Sequence, residues 1–447
     1  MPLDPHVRRL LERLAATNPP SARSLTIDER RSALEHLLAF SGLREEVAHV
    51  ENRVLPGADG PMAVRLYTPS GAPRAPAPAL VYFHGGGLVA GSLDSHDAIC
   101  RSLTNASGCR LISVDYRLAP EHPFPAALAD GYAAATWVAA HASELGTDAD
   151  RIVLGGDSAG ATLAAVVCQM AAAAGHPAFA LQLLICPIMD ACAVTDSRRA
   201  FAQGHLLDQA TLDHDLAHYL GPDVDRADAR VSPLRAAQLE TLPPTCIHTA
   251  EYDPLRDEGA AYAERLRLAG VQTTYRCHSG MIHLFYGMGR LIPYAATAYR
   301  LIGADIRSML ARQLTRKTRP MVDRLQVERL LQQLYAARVG GRLDELCALF
   351  AEDAFFRIAG TSDGKPIAVA ARGIGEIRHW LAMMVKTFRL NRREELATVI
   401  DGARSAVHWR ADIHSRITGA VVSTELVDLI EVRAGQIASY IEYFVPC

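Results

Sequence analysis

The sequence lacks any long apolar run. No stretch reaches the roughly 18 apolar residues that a membrane-spanning helix needs, and no small-residue cleavage site follows the N-terminal leucines. Charged residues interrupt those leucines, namely Asp4, Arg8, Arg9, Glu12 and Arg13. We therefore expect a globular, soluble protein without stable membrane association, and its default location is the cytoplasm.

Basic runs interleaved with aromatic residues and paired cysteines are also missing. Lysine occurs only at Lys317, Lys365 and Lys386, the formal net charge is -3, and no basic run is interleaved with aromatic residues. These features argue against nucleic acid as a partner. The nine cysteines lie far apart and form no Cys-x-x-Cys pair, so they indicate neither a disulfide framework nor a zinc knuckle. The sequence predicts no metal and no cofactor.

The chain of 447 residues is long enough for more than one domain. Short apolar runs alternate with helix-period segments from about residue 79 to residue 303, which predicts an α/β domain with a mostly parallel sheet. The predicted strands cover residues 79–83, 111–114, 152–154, 181–185, 246–249 and 273–277. In such sheets the chemistry gathers at the carboxyl ends of the strands.

Two helical segments interrupt this alternation, at about residues 1–40 and 195–220. Both are amphipathic and lie where they could cover the loop end of the sheet, so we interpret them as a cap. The alternative is that they pack on the side of the domain.

The run Gly156-Asp157-Ser158-Ala159-Gly160 follows an apolar strand and leads directly into an alanine-rich segment. A strand, Gly-x-Ser-x-Gly and a helix form the nucleophile elbow of acyl hydrolases, in which a tight turn presents the serine to a histidine. Gly156 and Gly160 allow such a turn because they have no Cβ. Taken alone, the run is also compatible with an ordinary glycine-rich loop.

A second glycine-rich run, His84-Gly85-Gly86-Gly87, also follows a strand. Backbone amides without neighbouring side chains can approach an oxygen closely, as an oxyanion hole requires. A flexible turn is the alternative reading. The combination of this run with the downstream elbow is far more specific than either alone, and it predicts acyl-transfer chemistry.

The acid and the base of such a site should follow later strands, in the order Ser, Asp, His. Asp253 lies at a predicted strand-to-loop junction, whereas Glu251 precedes it in the strand and Asp257 and Glu258 fall in the next helix. We therefore prefer Asp253 as the acid. The loop after the final predicted strand contains His283, which we prefer to His278 because His278 adjoins the strand end.

With these motifs in view, residues 4–310 resemble the bacterial hormone-sensitive-lipase family of α/β-hydrolases. The resemblance rests on residues 84–87, 115–127 (Asp115 to Ala127), 156–160 and 253–259. It implies that Ser158 is the nucleophile, His283 the base and Asp253 its orienting acid. It further implies an oxyanion hole formed by the amides of Gly86, Gly87 and Ala159, with His84 and Gly85 supporting the loop. Leu88 departs from the family, which often has an aromatic residue there.

His214 and His218 are spaced like two ligands of a His-Glu-x-x-His zinc site. The glutamate base is absent and no third ligand is apparent. We interpret this segment as part of a solvated cap helix.

After a basic, proline-terminated linker at residues 313–321, the pattern changes to helices followed by long alternating strands. This predicts a separate α+β domain over residues 322–447, after a hydrolase domain over residues 1–312. The second domain resembles the cone-shaped fold of nuclear transport factor 2, SnoaL-type polyketide cyclases and ketosteroid isomerase. The resemblance rests on residues 341–354 and 427–437.

Six polar residues of the second domain could line a pocket, or they could lie on a solvated or partner-facing side of the sheet. They are Arg410, Asp412, His414, Asp428, Tyr440 and Glu442. By resemblance to ketosteroid isomerase, Asp428 lies near the oxyanion-stabilising acid. The base position falls at Ile358, however, and the tyrosine position falls at Leu334, one residue from Tyr335.

These features predict a carboxylesterase that hydrolyses short- to medium-chain acyl esters by a Ser-His-Asp acyl-enzyme mechanism. The partner is a small-molecule ester, and the second domain is expected to form a homodimer or to bind a ligand. The alternative is a bifunctional hydrolase whose second domain isomerises or cyclises a product. A non-enzymatic binding protein is disfavoured by the intact set of Ser158, Asp253 and His283.

Overall fold

The structure is a computed structural model that describes residues 2–17, 20–42, 44–71, 76–318, 324–362 and 365–446. The chain folds as two compact units, residues 1–314 and 315–447. Each unit has its own cluster of buried apolar side chains. Among the described residues, no helix is both long enough and apolar enough to cross a bilayer.

The first unit is built on an eight-stranded sheet, in the spatial order β1-β2-β4-β3-β5-β6-β7-β8. The strands β3 to β8 are parallel, whereas β1 and β2 form an antiparallel hairpin whose second strand pairs with β4. The strands are β1 (His49–Gly57), β2 (Gly60–Thr68), β3 (Ala77–Phe83), β4 (Arg110–Val114), β5 (Thr147–Asp157), β6 (Leu181–Ile185), β7 (Thr245–Tyr252) and β8 (Thr273–Ile282). The predicted mostly parallel α/β sheet is confirmed.

The sequence analysis did not predict the hairpin of β1 and β2, because β1 is largely exposed and has no regular apolar alternation. The final strand was also predicted too short. It continues to Ile282, which pairs with Tyr252 of β7. The predicted loop from residue 279 therefore begins only after Ile282, immediately before His283.

Helices cover both the sheet and its loop end. They are α1 (Pro5–Thr17), α2 (Ile27–Leu38), α3 (Asp97–Ser107), α4 (Ala126–Ala140), α5 (Ala159–Ala174), α6 (Asp196–Ala200), α7 (Gln209–Tyr219), α8 (Arg256–Leu268) and α9 (Tyr294–Thr318). The alanines of α5 favour helix formation and let it pack closely against β5. The helix ends at Gly175, whose φ of 75° is typical of a glycine that terminates a helix.

The second unit is a six-stranded sheet in the order β10-β9-β14-β13-β12-β11, with three helices against one face. Its helices are α10 (Arg324–Val339), α11 (Leu343–Ala348) and α12 (Ile374–Thr387). Its strands are β9 (Phe350–Ser362), β10 (Lys365–Arg372), β11 (Phe388–Asp401), β12 (Arg404–Ser415), β13 (Val421–Arg433) and β14 (Gln436–Pro446). The predicted α+β architecture is confirmed, and four long strands follow α12.

The predicted linker at residues 313–321 is only partly described. Helix α9 continues through residues 313–318 of this linker and ends at Thr318. Residues 319–321 lie outside the described residues.

Candidate active site

Ser158 occupies the sharp turn between β5 and α5. Its backbone has φ 53° and ψ −123°, a strained conformation for a residue with a side chain. The turn leaves the serine 8% exposed at the carboxyl edge of the sheet. A strained residue at this position is a feature of reactive sites.

Gly156 and Gly160 make this turn possible through close backbone contacts. A Cβ built on Gly160 would lie 2.1 Å from the carbonyl oxygen of Phe83, and one on Gly156 would lie 2.4 Å from the same oxygen. No side chain fits at such distances. The two glycines therefore bring the elbow against the end of β3, where the second glycine-rich run begins.

His283 lies between Ser158 and Asp253. Its Nε2 is 3.1 Å from the Ser158 Oγ, and its Nδ1 is 2.8 Å from the Asp253 Oδ2. The other carboxylate oxygen, Oδ1, accepts a hydrogen bond of 2.9 Å from the amide of Leu255. Asp253 is fully buried and His283 is 6% exposed. This arrangement can transfer a proton from the serine to a histidine that the aspartate orients.

The competing acids lie elsewhere. Glu251 is within β7 and accepts a hydrogen bond from the amide of Gly280. Asp257 and Glu258 are in the first turn of α8, where Asp257 accepts from the amide of Ser197 and Glu258 from those of Met189 and Asp190.

The competing histidine, His278, is also elsewhere. It contacts His248 and Tyr294, at 3.2 Å each. The structure therefore brings together the three residues that the sequence analysis preferred.

The glycine loop presents unpaired amides beside the serine. Gly86 and Gly87 have φ values of 123° and 67°, a region that favours glycine. In the part of the chain that the structure describes, neither of their N–H groups has an acceptor. Ala159 begins α5, so its N–H has no partner within the helix. These three amides can receive a developing oxyanion.

His84 is buried beside this loop and contacts its backbone. Its Nδ1 is 2.9 Å from the carbonyl oxygen of Gly85, and its ring stacks on Tyr116 at 4.4 Å between centroids. The Tyr116 hydroxyl donates to the His84 carbonyl at 2.6 Å. Complete burial and the nearby His96 lower the pKa of His84 to about 3. His84 is therefore neutral near pH 7 and acts as a packing residue.

Ser158, His283 and the glycine loop open into a mostly apolar cavity of about 570 Å³. Its wall includes side chains from both predicted cap segments, among them Leu11 and Leu34 from the first and Leu212 and Leu216 from the second. Both segments therefore line the cavity, and the alternative, in which they pack on the side of the domain, is wrong. Leu88, which departs from the family pattern, also lines the cavity.

Two arginines of α2 hold the cap against the glycine loop through ion pairs and hydrogen bonds. Arg30 forms a two-bond ion pair with Asp215 of α7, at 3.0 and 2.6 Å, and both side chains are largely buried. Arg31 donates to the Val89 carbonyl at 2.9 Å and pairs with Glu121. The Asp215 carboxylate is packed against the loop, since a Cβ built on Gly87 would lie 2.0 Å from it. This ion pair was not predicted from the sequence, because no local pattern relates residues 185 positions apart.

One group among the described residues has the composition of a metal site. Atoms of Cys186, Asp253 and His283 lie within 4.8 Å of one another. Two of the three are already hydrogen-bonded to each other, so a metal ion would have to break the contact between Asp253 and His283. The spaced pair His214 and His218 is occupied by protein contacts instead: the His214 Nε2 is 3.2 Å from the Leu25 carbonyl oxygen, and the His218 Nδ1 is 2.9 Å from the His214 carbonyl oxygen.

The six polar residues predicted to line a pocket in the second unit divide between two faces of its sheet. Arg410, Asp412 and His414 alternate with the buried Trp409 and Ala411 and therefore face away from the core. Asp428, Tyr440 and Glu442 are buried on the helix-covered face. The six residues do not line one pocket.

Asp428 is the centre of the buried set. It accepts hydrogen bonds from Tyr335, at 2.5 Å, and from the Trp409 Nε1, at 2.9 Å. Its Oδ1 has no hydrogen-bond partner among the described residues. Burial and the neighbouring Glu442 raise the pKa of Asp428 to about 7. Tyr335 thus contacts Asp428, although the resemblance to ketosteroid isomerase places the tyrosine position one residue earlier, at Leu334.

Comparison with known proteins gives two matching families. The family described as alpha/beta hydrolase fold matches residues 80–287, and the family described as SnoaL-like domain matches residues 331–440. The carboxylic ester hydrolase LipN of Mycobacterium tuberculosis is 43% identical over 58% of this chain and 70% of LipN. The esterase LipI of the same organism is 40% identical over 61% of this chain and 87% of LipI.

Solved structures are also similar. An ester hydrolase from the metagenome of Lake Arreo, complexed with a derivative of bipyridine phosphonate, has a TM-score of 0.67 at 40% identity. A hyperthermophilic esterase from Pyrobaculum calidifontis has a TM-score of 0.65 at 38% identity. In both cases the similarity covers 69% of this chain and 99% of the other.

Proposed function

The chain belongs to the hormone-sensitive-lipase-like α/β-hydrolase family of carboxylic ester hydrolases and carries a SnoaL-like domain, and from this premise we propose that it hydrolyses short- to medium-chain acyl esters through an acyl-enzyme on Ser158. The observation that carries the proposal is the relay of 3.1 and 2.8 Å from Ser158 through His283 to Asp253. This relay opens into an apolar cavity beside the backbone amides of Gly86 and Gly87, for which the described part of the chain offers no acceptor.

In the first half-reaction Ser158 attacks the ester carbonyl while His283 accepts the hydroxyl proton. The carbonyl oxygen becomes an oxyanion and is stabilised by the amides of Gly86, Gly87 and Ala159. Asp253 holds the imidazole in position and stabilises the imidazolium. His283 then donates its proton to the departing alcohol, which leaves the acyl group on Ser158.

In the second half-reaction water attacks the acyl-enzyme. His283 accepts a proton from the water, and the same amides stabilise the second tetrahedral intermediate. When this intermediate collapses, His283 returns the proton to Ser158 and the carboxylic acid is released.

The cavity supports the proposed size of the acyl group. Its volume of about 570 Å³ and its leucine-rich wall suit an apolar chain of moderate length. The segments 1–40 and 195–220 act as a cap that sets this limit.

The test is a series of p-nitrophenyl esters of increasing acyl length, with the intact protein and Ser158→Ala. We expect the variant to lose turnover by a factor of about 10⁴ or more. Ser113→Ala, a buried serine of β4 outside the cavity lining, should keep wild-type turnover. Wild-type turnover by Ser158→Ala would refute the proposal, and a rate that keeps rising through the longest chains would refute the size limit.

For the second unit we propose dimerisation rather than a second reaction. Support comes from the face of its sheet that points away from the core, where several large apolar side chains are exposed: Val399, Val421, Leu429 and Tyr443. Isomerisation has one observation in its favour, the contact between Tyr335 and Asp428. The residue at the position of the base is Ile358, which cannot accept a proton.

We also propose a cytoplasmic location. The eight described cysteines are free thiols, and free thiols persist in a reducing compartment. Labelling of thiols in intact cells with a membrane-impermeant reagent tests this proposal, because a cytoplasmic protein stays unlabelled until the cells are opened.

A further inference from the structure

The carboxylate of Asp157, the residue before the candidate nucleophile, is completely buried behind the glycine loop. Its Oδ1 accepts hydrogen bonds from the Tyr82 hydroxyl, at 2.5 Å, and from the Gly85 amide, at 3.0 Å. Its Oδ2 accepts a hydrogen bond of 3.0 Å from the Tyr286 hydroxyl and lies 3.8 Å from the His96 Nε2. The mechanism described above uses none of these contacts.

Two of these partners, Gly85 and Tyr286, belong to segments that carry the proposed reaction, and Asp157 itself belongs to a third. Gly85 adjoins the two glycines whose amides face the oxyanion. Tyr286 follows the base His283 by three residues, and Asp157 itself adjoins Ser158. A single carboxylate therefore joins the nucleophile turn, the oxyanion loop and the segment of the base.

The contact with the loop is tight as well as polar. A Cβ built on Gly85 would lie 2.4 Å from the Asp157 Oδ2, so the loop backbone rests directly on the carboxylate. The amide of Gly85 is used by this contact, whereas those of Gly86 and Gly87 have no acceptor among the described residues. The hydrogen bond thus fixes the peptide that precedes the two free amides.

An ionised carboxylate suits this role because it only accepts hydrogen bonds, and it can accept several at once. Burial opposes its charge, yet His96 and the hydrogen bonds from Tyr82 and Tyr286 keep the pKa of Asp157 below its ordinary value. An asparagine of the same shape would offer one acceptor oxygen and two N–H donors. It could not satisfy three donors in this geometry.

We propose that Asp157 is a positioning residue, which holds the oxyanion loop and the segment of His283 in register with Ser158 through Gly85 and Tyr286. The inference rests on the proposed function. It predicts that loss of these contacts weakens stabilisation of the tetrahedral intermediate while ground-state binding of the ester is retained.

The test uses the full chain with Asp157→Asn, Tyr286→Phe and the double variant. Active sites are first counted by complete titration with a p-nitrophenyl phosphonate, and kcat is expressed per titrated site. We expect kcat to fall about tenfold or more in each variant, with KM within about twofold of wild type. The inhibition constant of an alkyl trifluoromethyl ketone, whose hemiketal oxyanion occupies the same amides, should rise by the same factor. The kcat of the double variant should fall no further than that of Asp157→Asn alone.

Tyr67→Phe is the matched control. Tyr67 is also fully buried and donates to an aspartate, Asp97, at 3.0 Å, but it lies on β2 away from the cavity lining. It should keep kcat per titrated site. Tyr286→Phe keeps the inference testable if Asp157→Asn does not fold, because it removes only one hydrogen bond.

Wild-type kcat per titrated site in the variants, with or without fewer titratable sites, would overturn the positioning role. In that case Asp157 would serve the stability of the fold alone. Turnover by Ser158→Ala would overturn the proposed function instead, so the two failures are distinguishable.

Discussion

The turn that carries Ser158 requires a residue without a Cβ at Gly160. We expect Gly160→Ala to abolish turnover, because its methyl group would lie 2.1 Å from the Phe83 carbonyl oxygen and 2.4 Å from that of His84. The elbow would have to move away from β3. Turnover of a p-nitrophenyl ester and the melting temperature measure the effect.

Gly221→Ala is the control for this prediction. A Cβ at Gly221 meets no atom within 4 Å, and its φ is not positive. It should keep wild-type turnover and stability. Full activity in Gly160→Ala would show that the elbow tolerates displacement from β3.

Buried histidines make stability depend on pH. Burial lowers the pKa of His84 to about 3 and that of His278 to about 4. An unfolded histidine titrates near pH 6.5, so between these values the unfolded chain binds more protons than the folded one. Stability is therefore retained above about pH 6.5 and falls as the pH decreases below it.

We expect His278 alone to account for a loss of about 1 kcal/mol between pH 7.5 and pH 5.5. Urea unfolding at the two pH values measures the difference in the free energy of unfolding, and His278→Phe should reduce this difference by about 1 kcal/mol. His36→Phe, a substitution of an exposed histidine, should leave the difference unchanged. An equal pH dependence in His278→Phe would contradict the assignment.

At this scale the sequence identified the residues of the proposed reaction, because their motifs are local: a turn of five residues, a glycine run and two strand ends. It did not reveal the contacts of Asp157. The tyrosines that reach this carboxylate are 75 and 129 positions away. No spacing rule connects residues that meet only after the sheet has formed.

Two ion pairs of very different burial join α7 to the N-terminal cap segment, one from Arg30 of α2 and one from Arg23, which precedes α2. Arg30 and Asp215 have side chains that are 12% and 7% exposed, whereas Arg23 and Asp213 are 67% and 40% exposed. We expect Arg30→Met to destabilise the first unit by about 3 kcal/mol, because it removes the arginine from a buried carboxylate and leaves His214, at 3.2 Å, as its side-chain partner. It should also lower kcat/KM, since this carboxylate is packed against Gly87.

Arg23→Met is the matched control and should cost at most about 1 kcal/mol, because an exposed pair is screened by water. The double variant Arg30→Met/Asp215→Leu should recover most of the lost stability. Urea unfolding and ester turnover give the two readouts. Equal effects of Arg30→Met and Arg23→Met would rule out a special role for the buried pair.

Regular apolar patterns predicted the buried strands well, whereas exposed strands were not recognised. The parallel strands β3, β4, β6 and β7 were found because they are almost continuously buried. The strand β1 was not recognised, since most of its side chains reach solvent. Along β12, period two showed that Arg410, Asp412 and His414 share a face, but period alone does not say which face meets the core.

For the whole molecule we predict a dimer through the outward face of the second sheet. The intact protein should have twice the 48.4 kDa chain mass in light scattering. Leu429→Arg should shift it to the single-chain mass, because a charge would replace an exposed leucine at the centre of that face. Ester turnover per site should remain.

Val54→Arg provides the control, since Val54 is an exposed apolar residue of β1 in the first unit. It should leave the mass unchanged. A wild-type protein of single-chain mass, or a dimer that survives Leu429→Arg, would contradict the proposed interface.

The ion pair between Arg30 and Asp215 has a consequence for synthesis of the chain. The partner of Arg30 in this ion pair is made 185 residues after it. Until then the leucines of α1 and α2 that will line the cavity lack the surface that α7 supplies, although Leu34 can already contact the glycine loop. The apolar side of this segment that faces α7 in the folded protein is therefore uncovered in the nascent chain until residues 209–219 have been translated.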